Sequence, residues 1–181
     1  MFANYFPLEL HKDLSTILSI LPKYKYTEDR ISYVLSSGMI AFPYRIYLID
    51  VEDEIYKSLT PIQQQLICCI YTRSHNGFVR EKYLRRLLEM DFSPWSIPYI
   101  VKLCDEYVIE LLELVYEQLK NRDNRDIHSF CLQNKAMIHR GYTRMTSYWN
   151  EFYRDREHNF KNYIGRKLFR ECFGYTRSFE K

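Results

Sequence analysis

Glu106, Glu110, Glu113 and Glu117 recur at steps of four, three and four, the spacing that gathers side chains on one face of a helix. Like charges so placed repel by about 0.2–0.5 kcal/mol per pair, so the row costs a little stability unless cations lie beside it. Its chemistry is that of a docking surface, since carboxylates select a basic partner and charge complementarity speeds association and fixes register. The plain alternative is a solvated face. His128-Ser129-Phe130-Cys131 offers different chemistry, an imidazole and a thiol with the spacing of two metal ligands, with His139 and Cys172 as distant candidates. One local pair does not make a four-ligand site, and the expectation is that no metal or other cofactor is held. The chain has no Gly-rich phosphate loop, no HExxH, no GxSxG and no CxxC pair, so it offers no dependable catalytic set.

The elements that must position the glutamates lie between Thr60 and Lys120, a block that reads as three helices. Ile100, Cys104, Val108, Leu111 and Val115 share one stripe within an apolar series from Ile97 to Leu119. That spacing predicts one long helix, with these five buried and Glu106, Glu110 and Glu113 exposed opposite them. Ahead of it, Thr60-Pro61 with Gln63 signals a capped helix whose buried side is Ile62, Leu66, Cys69 and Ile70. Ser74-His75-Asn76-Gly77 ends that helix. In the next, Tyr83, Leu84, Leu87 and Leu88 face inward with Val79, while Arg80, Lys82, Arg85 and Arg86 face out. Pro94 and Pro98 punctuate the entry to the long helix.

Toward the N-terminus, Leu8 to Leu21 reads as a helix stopped by Pro22. A second helix is predicted from the Thr27 cap to Gly38, with Ile31, Val34 and Leu35 on its core side. From Met39 to Val51, Ile40, Phe42, Tyr44, Ile46 and Leu48 alternate with other residues, which argues for an extended segment; Pro43 restricts it to an edge. An extended strap across helices is the preferred reading of 39–51 and a short hairpin its rival.

At 181 residues, with 46% apolar and 17% aromatic content, the chain excludes disorder and suits a single helical domain, 1–181. Five glycines and six prolines leave little material for a many-turned β fold. The predicted class is all-α: an irregular multi-helix bundle with one short extended segment. No apolar run approaches the roughly 18–20 residues that span a bilayer, and Met1 to Pro7 has neither the basic nor the apolar region of an export signal. The five cysteines are odd in number and read as reduced core residues of a cytoplasmic protein.

Charge divides the chain. Residues 121–181 hold 13 Lys+Arg against 7 Asp+Glu and 12 of the 30 aromatics, whereas residues 1–120 are net acidic. In that basic region, Asp126 caps a short helix through Gln133, Met145 to Phe152 mark another, and Phe160 to Cys172 a last one stopped by Gly174. Cations and rings together can bind nucleic acid. Here, however, the aromatics keep helical core spacing, the cations alternate with acids as in Arg154-Asp155-Arg156-Glu157, and no nucleic-acid motif is present.

Arg122-Asp123-Asn124-Arg125-Asp126-Ile127-His128 resembles the Arg, polar residue, short spacer and His signature of HEPN ribonucleases, an all-helical and mostly dimeric family. The resemblance covers seven residues. It implies that Arg122 holds the scissile phosphate, Asp123 supports it and His128 acts in proton transfer. Asn76-Gly77-Phe78-Val79-Arg80-Glu81 and Asp105-Glu106-Tyr107-Val108-Ile109-Glu110 resemble the second helices of HEAT-type repeats, which implies a HEAT-like helix pair in the centre. Aligning Val79 with Val108 gives a period short for that family, and Leu84 falls opposite Glu113, so the register does not continue.

Two function classes follow. The first is a non-enzymatic, cytosolic protein-protein interaction module, a regulator or immunity-type neutraliser, that meets a basic protein with Glu106, Glu110, Glu113 and Glu117. The second is a nucleic-acid binder using the basic third, or a HEPN-like ribonuclease using Arg122, Asp123 and His128.

Overall fold

The computed structural model describes residues 5–180, so Met1 to Asn4, part of the stretch read for an export signal, lie outside the described residues. The chain divides into two compact units, one up to Tyr99 and one from Ile100.

In the first unit, a 3-10 turn at Leu8–Leu10 leads into α1 (His11–Ile20). Leu21 turns extended before Pro22, because a residue ahead of proline is pushed out of the helical region. Strands β1 (Lys25–Tyr26) and β4 (Ile46–Tyr47) pair antiparallel, as do β2 (Arg30–Leu35) and β3 (Gly38–Pro43). The helices α2 (Asp53–Ser58), α3 (Pro61–Tyr71) and α4 (Gly77–Glu89) follow, and α1 and α4 both pack on α3. The Thr60 hydroxyl and the Gln63 side chain form the expected capping box, and Asn76 caps α4. Rings close the core: Phe42 stacks on Tyr99 at 4.3 Å and Tyr71 on Tyr83 at 4.3 Å.

Two small antiparallel sheets overturn the all-α expectation, although the chain is mostly helical. The error lies at 27–38. In Arg30-Ile31-Ser32-Tyr33-Val34-Leu35, Ile31 and Tyr33 are buried while Arg30, Ser32 and Val34 are exposed, a period of two. Over six residues an apolar run fits either period, and β-branched and aromatic side chains decide for the strand. Thr27 does not cap a helix; its hydroxyl accepts from the Arg45 amide at 3.0 Å beside the β1–β4 pair. Gly38, with φ of 129°, takes the positive dihedral at the Ser36-Ser37 turn that other residues avoid. The stretch 39–51 is therefore no strap across helices. Its first part is the second arm of a hairpin, and Ile46 exchanges backbone bonds with Arg73 and His75 beyond α3.

Two side chains on α3 and α4 also differ from expectation. Ile62 is 37% exposed while Gln65 is buried, receiving the Ser93 amide and donating to the Asp91 carbonyl. Arg80 is buried because its guanidinium turns back onto the Ser74 and His75 carbonyls at 2.9 and 3.1 Å.

The second unit holds most of α5 (Ile97–Leu103), then α6 (Ile109–Leu119), α7 (Arg125–Gln133), α8 (Lys135–Tyr148) and α9 (Ile164–Lys167). Both α8 and α9 run on into wider π-helical turns, Trp149–Tyr153 and Leu168–Cys172. Leu111, Leu112, Val115 and Leu119 of α6 are buried, and α6 packs on α9 and its π-helical extension. Gly174, with φ of 67°, ends the run that begins with α9, as its sequence suggests.

The single long helix from Ile97 to Leu119 is not formed. After Leu103 the amides of Cys104 and Glu106 bond only three residues back, to Val101 and Leu103, and Val108 is extended before α6 begins. Asp105 and Glu106 place two carboxylates at the C-terminal end of α5, where the helix dipole is unfavourable to them. Lys102 and Arg144 hold Asp105 in that turn, at 2.5 and 3.4 Å. The HEAT-like pairing fails with the long helix, since Asp105 to Val108 form a turn rather than the body of a second helix.

Candidate functional site

The broken helix divides the row of glutamates. Glu110, Glu113 and Glu117 all lie on α6, on the side away from Leu111 and Val115, and all are exposed. Glu106 falls in the turn ahead of α6 and is only 5% exposed, which corrects the expectation that it faces solvent with the others. Val108, expected in the core, is half-exposed for the same reason. Glu117 pairs with Lys120 one turn on, at 2.5 Å. Glu110 and Glu113 have no Lys or Arg within ion-pair distance among the described residues.

Beside Glu110 is a group of rings that the sequence did not reveal. Tyr107 is 58% and Phe152 56% exposed, and their ring centroids lie 6.2 Å apart. Tyr148 contacts both, at 6.0 and 6.2 Å. The turn holds them in place, because the Tyr153 hydroxyl donates to the Tyr107 carbonyl at 2.5 Å. Burial raises the Tyr153 hydroxyl pKa, with Glu110 among the nearby charges that add to the shift. By its spacing Phe152 was a core residue; the π-helical turn begins at Trp149 and changes which side each later residue faces.

In the segment from Arg122 to His128, the Asp123 carboxylate is engaged by Arg125, with Nε at 2.8 Å. That hydrogen bond, followed by a backbone one from the same residue, holds Asp123 below the ordinary carboxylate range. Asp123, Arg125 and Asp126 line an open polar depression whose lining includes neither Arg122 nor His128. Arg122 is exposed; the His128 ring lies toward Gly174, where an added Cβ would sit 3.3 Å from its Cδ2, and its Nε2 is enclosed. The structure thus joins Asp123 to Arg125 and does not show the implied Arg-His pair on a common cleft.

A third feature runs along α8. His139, Tyr142, Thr143, Thr146, Ser147, Trp149 and Asn150 line a groove closed on its other side by Tyr175 and Glu180. His139 Nδ1 is 2.7 Å from the Tyr175 hydroxyl, and Tyr142 stacks on Tyr175 at 4.1 Å. Burial pushes the Tyr175 hydroxyl up to about 12. The recurrence of polar residues at steps of three and four from His139 to Asn150 is visible in the sequence, but the facing wall comes from residues 25 or more positions on.

Cys131, the proposed partner of His128, is fully buried, and burial raises its thiol well above the ordinary range. Among the described residues no group of three or more His, Cys, Asp or Glu is placed to hold a metal ion. No helix among them is long and apolar enough to cross a membrane. No protein-family model matches the chain, and neither a curated protein nor a solved structure matches it.

Proposed function

We propose that this chain is a non-enzymatic interaction module that binds a protein with a basic surface, as a regulator or immunity-type neutraliser. Its docking face is Tyr107 and Phe152 with the exposed glutamates Glu110, Glu113 and Glu117 of α6. The observation that carries this is the pairing of two large, solvent-facing rings with Glu110 and Glu113, which have no cation of their own among the described residues. Aromatic residues are enriched at interface cores, and polar and charged ones form the rim. Rings held by their neighbours also present contact area at little entropic cost. Glu106 has no part in the face.

A cytoplasmic setting belongs to the same proposal. Its support is the five cysteines, all free and all buried, which suit a reducing compartment. The test is a Tyr107→Ser/Phe152→Ser variant used as bait beside the unaltered chain. A discrete basic protein retained by the unaltered chain and lost by the variant, with unfolding unchanged, supports the proposal. Equal retention by both removes these rings from the binding face.

A further inference from the structure

The groove along α8 has the volume of a small-molecule site, a mainly apolar lining and a few placed polar groups. Its volume is about 470 Å³, within the roughly 300–1,000 Å³ usual for ligand pockets. One end is fixed by the stack of Tyr142 on Tyr175 and by the His139–Tyr175 hydrogen bond. At the other end α8 widens into its π-helical turn at Trp149, a distortion that recurs at functional sites.

At Thr146 and Ser147 the groove offers hydrogen-bond acceptors, while the Asn150 oxygen is taken by Arg154 at 3.1 Å. The Thr146 hydroxyl donates its proton to the Tyr142 carbonyl at 2.9 Å, and the Ser147 hydroxyl donates to the Thr143 carbonyl at 3.1 Å. Each then has only lone pairs left for a ligand. The Trp149 N–H is spent on the Glu157 carbonyl at 2.9 Å, so Trp149 contributes its ring alone. Glu180 supplies a carboxylate, and among the described residues neither Lys nor Arg lines the groove. Acceptors, one negative charge and aromatic rings together suit a cation that carries N–H groups, held by hydrogen bonds and by cation–π attraction. The polar stripe from His139 to Asn150 runs about 16 Å along the helix, long enough for ammonium groups separated by alkyl chain to lie along it.

We propose that this groove binds a small aliphatic polyamine. The cation is held by Glu180 and by the hydroxyl oxygens of Thr146 and Ser147, and its methylene groups lie against Tyr142 and Trp149. The groove shares no residue with the docking face, and its test does not depend on any protein partner.

The full chain is titrated with spermidine by calorimetry and by NMR of the Trp149 indole N–H, assigned with Trp95→Phe. Saturable heat with a shift at Trp149 is expected, and Glu180→Gln, an exposed and structurally mild change, should weaken binding about tenfold, the equivalent of 1.4 kcal/mol. Tetramethylammonium, which has the charge but no N–H, should bind at least as weakly as spermidine binds the Glu180→Gln variant. Absence of a Trp149 shift at millimolar spermidine overturns the proposal. So does unchanged affinity in Glu180→Gln, equal binding of tetramethylammonium, or saturable binding of inorganic phosphate at Trp149 in place of the amine.

Discussion

A methyl group added at Gly165 should destabilise the protein, although glycine-to-alanine changes in helices usually do the reverse. Gly165 is the second residue of α9. Helix propensity alone favours alanine by up to about 1 kcal/mol. The space decides otherwise: an added Cβ would lie 2.7 Å from a Tyr163 ring carbon and 2.8 Å from both Cγ and Sδ of Met145. Tyr163 is 2% exposed and Met145 fully buried, so neither can swing out to solvent. Overfilling a packed core costs about 1–3 kcal/mol, and subtracting the propensity gain leaves a net loss of about 0–2 kcal/mol. Urea unfolding of Gly165→Ala measures that loss. Met145→Ala in the same background should recover part of it, so the double variant falls short of additivity by about 0.5 kcal/mol or more. A Gly165→Ala protein more stable than the original, or strict additivity with Met145→Ala, would refute the close packing of Tyr163 and Met145 over this glycine.

Leu111→Ala should cost about 2–5 kcal/mol in the same assay, since Leu111 is 1% exposed, whereas Glu113→Ala on the outer face should stay within about 0.5 kcal/mol. Similar losses at both positions would show that the register of α6 is wrong. Acid should remove a contribution from Asp53, whose carboxyl is lowered from 3.8 to about 2 by hydrogen bonds from Lys82 and then Arg86. A depressed folded-state pKa means the contribution is complete above the unfolded value and is lost as pH falls from about 4 toward about 2. The melting temperature should therefore fall more steeply over that window in the original chain than in Asp53→Asn; parallel curves would exclude the linkage.

The helices with clear caps were legible because their signals are local. Thr60 and Gln63 satisfy each other within four residues, and Leu84, Leu87 and Leu88 repeat at the helical period for more than a turn. The strand at Arg30–Leu35 was not, because Ile31, Tyr33, Val34 and Leu35 within six residues satisfy either period and the partner strand decides. The break at Cys104–Val108 was hidden by an apolar stripe that continues through it. What ends the helix there is the placing of Asp105 by Lys102 and by Arg144, the latter about 40 positions away in the chain. Of the three glutamates expected to be exposed, Glu110 and Glu113 are, since they share one intact helix; Glu106 was lost with the turn. The rings at Tyr107 and Phe152 could not be foreseen, because aromatic residues at helical spacing ordinarily mark a core. A π-helical turn leaves no plain mark on the pattern.

The most direct test of the docking face is a Glu110→Gln/Glu113→Gln variant assayed against a partner purified with the unaltered chain. Both residues are exposed and without ion pairs among the described residues, so the melting temperature should not change. Association should slow and lose most of its dependence on ionic strength, because charges at the rim of an interface act chiefly through encounter. The same association rate and salt dependence in the variant and the original chain would contradict an acidic docking face on α6.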